Sequence, residues 1–238
     1  INDVADLNVS IKVIADMYNI LTGSVKMNSI FGALLISVNP ELLSPWEKIT
    51  KRIVDVILSI LAIIILLPVF VILSFLIKTG SKGPIIFKQK RIGLHGNPFW
   101  IFKFRSMITE AEKDGPQLSS QNDPRITAIG KFMRKTRLDE TPQFFNVIKG
   151  DMAIVGPRPE REYYIQKIIK KAPHYKHVLK VKPGITSWGQ VKFGYAENVD
   201  EMVARLKFDL LYVENMSLSL DVKILFYTAI IMIKGDGK

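Results

Sequence analysis

Val56-Ile-Leu-Ser-Ile-Leu-Ala-Ile-Ile-Ile-Leu-Leu-Pro68-Val-Phe-Val-Ile-Leu-Ser-Phe-Leu-Ile77 is a run of 22 residues without a charge. A helix needs roughly 20 apolar residues to cross a bilayer core, so the run is long enough. It is apolar all round, which favours lipid over the core of a soluble domain. It is internal, too long for a signal-peptide core and without a small-residue cleavage site. Lys48, Lys51 and Arg52 precede it; Lys78, Lys82, Lys88, Lys90 and Arg91 follow it. Basic residues mark the cytoplasmic side, and here both flanks are basic. Pro68 removes a backbone hydrogen bond and kinks a helix. The expectation is a re-entrant helix over 47–78, kinked at Pro68 and leaving on the side it entered. Lys51 and Arg52 sit at its edge, and Ser59, Ser74 or a carbonyl-bonded Arg52 satisfies the break.

Composition agrees with a membrane location. Hydrophobic residues make up 48% of the 238, and 33 Lys+Arg against 22 Asp+Glu leave a formal charge of +11. Such a chain attracts anionic lipid, nucleic acid or a phosphorylated substrate. With no cysteine, disulfides and thiolate metal sites are excluded. His174 and His177 have no third candidate ligand in view and read as surface residues. The chain begins at Ile1, which reads as a fragment of a longer product.

Upstream of the apolar run, Val9–Ile14 and Ala33–Val38 alternate like strands and Asp16–Leu21 suits a short helix. Two short strands bury no core, so residues 1–46 read as the end of an upstream α/β domain. Downstream, Ile85–Arg91 and Pro98–Phe104 form a hairpin around the loop Gly93–Asn97. The polar stretch Lys113–Arg125 is a loop over a site. Ile126–Thr136 reads as a basic helix with Ile129, Phe132 and Met133 inward. Glu160–Lys171 is another, with Tyr164, Ile165, Ile168 and Ile169 inward. Asn198 and Glu201 make a capping box for a helix with Val203, Leu206, Leu210 and Val213 inward. Leu218–Ile233 reads as an interfacial or core helix. No Walker A, Rossmann or zinc motif occurs.

The chemistry concentrates in Arg137-Leu138-Asp139-Glu140-Thr141-Pro142-Gln143 and Gly156-Pro157-Arg158-Pro159-Glu160. Thr141 and Pro142 suit an N-cap and first turn, with Gln143–Ile148 continuing the helix. That places Asp139 and Glu140 at a helix start among cations, a setting for a phosphate ester held with a divalent metal. On local pattern alone, ordinary first-turn acids are the simpler reading.

Together these motifs resemble the bacterial sugar transferases that load sugar-1-phosphate onto polyprenyl phosphate, the monotopic phosphoglycosyl transferases. The resemblance covers roughly 46–238. It runs through Lys51-Arg52, the run with Pro68, Phe87-Lys88-Gln89-Lys90-Arg91-Ile92-Gly93 and Lys103-Phe104-Arg105-Ser106-Met107. It continues through Leu138–Gln143, Asn146-Val147-Ile148-Lys149-Gly150-Asp151-Met152, Gly156–Pro159 and Lys182-Pro183-Gly184-Ile185-Thr186. Some small members have Ser before the kinking proline, where this chain has Leu67. Residues 1–46 resemble the end of the Rossmann-like, non-catalytic domain of longer members.

The resemblance implies an α+β, membrane-associated fold: the re-entrant helix plus a small, helix-rich cytosolic catalytic domain over 79–238 with a β-hairpin and interfacial helices. It implies that Asp139 attacks the β-phosphorus of a UDP-sugar, releasing UMP, and that undecaprenyl phosphate then takes the sugar-1-phosphate from the aspartyl intermediate. Such a reaction would begin exopolysaccharide, capsule or O-antigen synthesis at the cytoplasmic face of a bacterial inner membrane. Asp139 and Glu140 would hold Mg²⁺, or Mn²⁺ in its place. Pro157-Arg158-Pro159 would bind the nucleotide or its phosphates. Lys103, Arg105, Arg134 and Arg137 are candidate phosphate ligands; for each, a solvated or lipid-facing charge is the alternative. Anionic lipids are expected partners, homo-oligomers are allowed, and nucleic acid is not expected. Three rivals remain: a nucleic-acid binder, which explains neither the apolar run nor the acid pair; a non-enzymatic membrane scaffold of a polysaccharide assembly complex; and a UDP-sugar hydrolase.

Overall fold

The computed structural model describes residues 11–14, 35–38, 43–111, 115, 117–118 and 123–234. The chain divides into residues 1–44 and 45–238. In the first unit, β1 (Ile11–Ile14) pairs antiparallel with β2 (Leu35–Val38), Ile11 facing Val38. Both strands lie within expected segments; the expected helix at Asp16–Leu21 falls outside the described residues.

The second unit starts with α1 (Pro45–Gly80), which holds the whole apolar run. Pro45 suits a first helical position, where its missing N–H would be unpaired anyway. Among the described residues α1 is the one helix long and apolar enough to cross a membrane. It stays helical through Pro68. Ser59 Oγ donates to the Asp55 carbonyl and Arg52 bonds elsewhere, so neither serves the break as expected.

Toward each end of α1 one face is covered, whereas its middle is exposed. Asp55 and Ser59 are covered near one end, Leu73 and Ile77 near the other, while Ile65 between them is 73% exposed. At the N-terminal end, Arg52 donates to the Val147 and Ile148 carbonyls at 2.6 and 3.0 Å. Lys51 bonds Asp221 and the Val155 carbonyl, and Asp55 accepts from the Ile154 N–H. At the other end, Leu73 and Ile77 join Phe104 and Met133 in one apolar cluster, with Phe70 edge-on to Phe104. Arg105 donates to the Ile77, Ser81 and Lys82 carbonyls, satisfying groups that a helix C-terminus leaves free.

The hairpin is β3 (Ile86–Ile92) and β4 (Pro98–Phe104), within a residue of expectation. Next come α2 (Ala128–Lys135), capped by Thr127, and α3 (Gln143–Lys149). Met133 faces inward, but Phe132, expected beside it, is 53% exposed. Asn146 fixes α3 to β4: its amide accepts from the Phe102 N–H and donates to the Trp100 carbonyl, at 3.0 and 2.7 Å. A fully buried Asn with both ends paired locks the register between helix and strand.

β5 (Ala153–Val155) and β6 (Gly184–Thr186) form a short parallel pair that the sequence reading did not contain. Gly156 and Gly184 let the two backbones touch, since a Cβ at either would meet main-chain atoms of the other segment. α4 (Glu162–Lys171) buries Tyr164, Ile165 and Ile168, leaving Ile169 half-buried. α5 (Trp188–Lys192) and α6 (Val199–Glu214) follow. The capping box is present: Asn198 accepts from the Glu201 N–H at 2.9 Å, and Glu201 accepts from the Glu197 N–H. In α7 (Leu218–Lys234), Ile224 is buried while Val222 and Phe226 are exposed.

Candidate active site

The acid pair occupies a 3₁₀ turn, Leu138–Glu140, one turn ahead of α3 rather than in its first turn. Thr141, expected to cap α3, instead donates to the Leu138 carbonyl and closes that turn. The preceding Arg137 has φ 56°, a left-handed conformation that a non-glycine residue rarely adopts. That reversal turns the chain from the end of α2 into the acid turn. Backbone strain of this kind persists where surrounding contacts enforce it, often at functional sites.

Three cations from three segments converge on Glu140. Lys103, from β4, donates to Oε1 at 2.6 Å. Arg158, from the loop after β5, reaches the same oxygen at 3.5 Å, and Arg137 stands 3.9 Å from Oε2. Burial alone would raise the Glu140 pKa, but Lys103, Arg158 and Arg137 outweigh it and hold the carboxyl well below its ordinary range. Glu140 is therefore a permanent anion. Arg158 is likewise fixed in its charged form, because Glu140 overcomes the effect of burial.

Asp139 is equally buried but differently placed. Its carboxylate receives no hydrogen bond from any described residue, and it lines a cavity of about 270 Å³. Burial first, and the neighbouring Glu140 charge second, push its pKa up to about 6. An acid in such a setting is desolvated and ionised in part near neutrality, the condition of a reactive carboxylate. Glu140, Lys103, Arg134, Arg158 and Tyr195 also line the cavity.

Arg134 reaches this space with its Nε bonded to Ser106 Oγ at 3.0 Å. Arg105 lines the same cavity, with its guanidinium engaged on the carbonyls ending α1. Pro157 and Pro159 act through their carbonyls, which accept from the Gly184 N–H and from Arg91. Lys51, Arg52 and Pro68 stand apart from the acid pair, in α1.

Four contributors went unassigned in the sequence reading. Glu160 is buried between Arg91 and Arg205, and its carbonyl accepts from the Ile92 N–H. This clamp pins the far end of the Arg158 loop to β3 and α6. Arg91 and Glu160 both sit inside quoted motifs, so opposite charges in two motifs were an available signal. Arg205 and Tyr195 carry no local signal. Tyr195 has its ring within 5.4 Å of both Arg137 and Arg158.

Among the described residues no three His, Asp or Glu side chains gather as a ready-made metal cage. Mg²⁺ often binds through only one or two carboxylates plus substrate phosphates. The Asp139 carboxylate, which accepts no hydrogen bond from a described residue and stands beside Glu140 at the cavity wall, fits that donor set.

The profile of the family described as bacterial sugar transferase matches residues 46–235. The chain belongs to the bacterial sugar transferase family. The matched region contains α1 from Trp46 onward, the hairpin, the acid turn and the Arg158 loop. A UDP-N-acetylgalactosamine-undecaprenyl-phosphate N-acetylgalactosaminephosphotransferase of Aeromonas hydrophila is 40% identical over 217 residues, covering 91% of this chain and 51% of the relative. A UDP-glucose:undecaprenyl-phosphate glucose-1-phosphate transferase of Escherichia coli (strain K12) is 36% identical, covering 96% and 50%. An undecaprenyl-phosphate galactose phosphotransferase of Salmonella typhimurium is 34% identical with the same coverage. The chain thus spans about half the length of these relatives.

Proposed function

We propose that this sugar transferase moves a sugar-1-phosphate from a UDP-sugar to undecaprenyl phosphate, with Asp139 as the nucleophile. The observation that carries the reading is the contrast within the acid pair: Glu140 is paired with Lys103 and faced by two arginines, whereas Asp139 is buried, accepts no hydrogen bond from a described residue and opens to the cavity. The named activities of the relatives support the substrate classes.

In the first step an Asp139 carboxylate oxygen bonds to the β-phosphorus. The bond from that phosphorus to the bridging oxygen breaks, and UMP leaves with the electron pair. In the second step a phosphate oxygen of the lipid attacks the same phosphorus, and Asp139 departs as carboxylate. Covalent catalysis of this kind splits one hard transfer into two easier ones. Arg158 and Arg134, both lining the cavity, bind the diphosphate and offset the charge growing on its oxygens. Lys103 holds Glu140 away from the incoming anion. Asp139 and Glu140 would hold Mg²⁺, which when bound lowers the repulsion between carboxylate and diphosphate.

The reading places α1 as a re-entrant anchor on the cytoplasmic face. A straight helix from Arg52 to Ile77 measures about 38 Å, more than a bilayer core. Yet both ends bond the same small body: Arg52 holds the end of α3, Ile77 packs on Phe104, and Asn146 ties α3 to β4 two residues away. A helix crossing the bilayer would carry one of those ends to the opposite surface.

The test is UMP release from a panel of UDP-sugars with Mg²⁺, with and without undecaprenyl phosphate, for wild type and Asp139→Asn. Lipid-dependent release from one sugar, abolished in the variant, is expected. Full-rate release without lipid would make the protein a hydrolase, and no release from any sugar would favour a scaffold.

A further inference from the structure

Tyr195 stands in the short bridge between α5 and α6, and the reaction scheme above does not use it. Its ring lies 5.0 Å from the Arg137 guanidinium and 5.4 Å from that of Arg158. These are two of the three cations facing Glu140, and they come from unrelated segments. Their own contacts with the carboxylate are long: Arg137 stands 3.9 Å away, and both terminal nitrogens of Arg158 reach one oxygen at 3.5 Å. The Arg137 Nε is buried with no partner among the described residues. An aromatic ring supplies what is missing, because its quadrupole attracts a guanidinium and its flat face restricts rotation.

The bridge is built to hold that ring still. Gly194 adopts φ 89°, a left-handed turn that glycine makes without strain. Three residues after Tyr195, Asn198 caps α6, and the Glu197 N–H is bonded to Glu201. The ring is thus set between a helix end and a capped helix start.

We propose that Tyr195 is a positioning residue: its ring holds Arg137 and Arg158 against Glu140 and so shapes the cationic wall that a diphosphate meets. The proposal rests on the transferase reading, because its role is defined by that diphosphate. It acts through the two arginines, so the ring matters and the hydroxyl does not.

The experiment compares Tyr195→Phe and Tyr195→Leu, alone and with Arg158→Gln, by UMP release and by thermal melting. Tyr195→Phe is expected to stay within about threefold of wild-type kcat. Tyr195→Leu should lower kcat by about 10- to 100-fold, the loss typical of a misplaced catalytic contact, with KM moving less than about threefold. In the Arg158→Gln background the Leu substitution should then add little, and the two falls in melting temperature should be smaller together than their sum. If Tyr195→Leu fails to fold, Tyr195→Met takes its place in the same cycle. Equal kcat for Phe and Leu, equal losses for both, or fully additive melting shifts would overturn the proposal. No UMP from wild type would sink the transferase reading instead, and the melting cycle would still decide whether Tyr195 and Arg158 are coupled.

Discussion

Asp139→Asn is expected to abolish UMP release and at the same time to stabilise the fold. The side chain is 7% exposed and accepts no hydrogen bond from any described residue, so its charge is held against burial and against Glu140. Its pKa rises from an ordinary value of about 4 to about 6. At about 1.4 kcal/mol per pH unit, keeping it ionised costs the native state up to roughly 3 kcal/mol. The direction follows from proton counting. A raised acid binds more protons folded than unfolded, so the penalty from Asp139 is absent below about pH 4 and grows as pH rises to about 6. Asparagine keeps the shape without the charge, so its advantage is absent below about pH 4 and complete above about pH 6. For a chain of this size roughly 3 kcal/mol is a rise of up to about 6–12 °C in melting temperature. Melting both proteins in one detergent at about pH 8 and again at about pH 4 reads the effect directly. A variant no more stable than wild type at the higher pH, or an advantage that survives acidification, would refute a strained carboxylate at this position.

Lys103→Met removes the closest cation from Glu140; UMP release should fall by about 100-fold or more and stability by about 3 kcal/mol, measured by turnover and melting. Arg52→Ala should lower the melting temperature by about 4–8 °C through lost bonds to α3, while resistance to carbonate extraction from membranes stays as in wild type. Loss of membrane retention without a melting change would instead assign Arg52 to lipid. The chain has no cysteine, so Lys48→Cys and Lys82→Cys can be labelled singly in intact spheroplasts and in inverted vesicles. Both should react with an impermeant maleimide only in the inverted vesicles; labelling from opposite sides would make α1 a spanning helix.

What the sequence made legible was local. An uncharged run, a Gly-rich loop between two strands and an Asn-x-x-Glu cap each declare themselves within a dozen residues, and α1, the β3–β4 hairpin and α6 appeared nearly where their patterns put them. The acid pair is legible from its neighbours but its turn is not, because a left-handed Arg137 is invisible to helix-start rules that assume ordinary φ at every non-glycine. Phe132 reads as core in the sequence because periodicity reports which residues share a face and not what that face meets. The β5–β6 pair, with three residues in each strand, is too short for alternation to register, and only close backbone contact at Gly156 and Gly184 makes it possible. Arg205 and Tyr195 reach the site by chain folding alone.

The two-ended attachment of α1 also bears on how substrates find the site. A domain hung from one end of a membrane helix can swing, and its reactive carboxylate then samples a range of heights above the lipid. If α1 re-enters as proposed, the bonds that Arg52 and Arg105 make at its two ends remove that swing and leave mainly drift and rotation within the plane of the membrane. On the proposed reaction, Asp139 would then be held at one depth, and a polyprenyl phosphate would have a two-dimensional search rather than a three-dimensional one. The search is shortened by geometry before any binding energy is used.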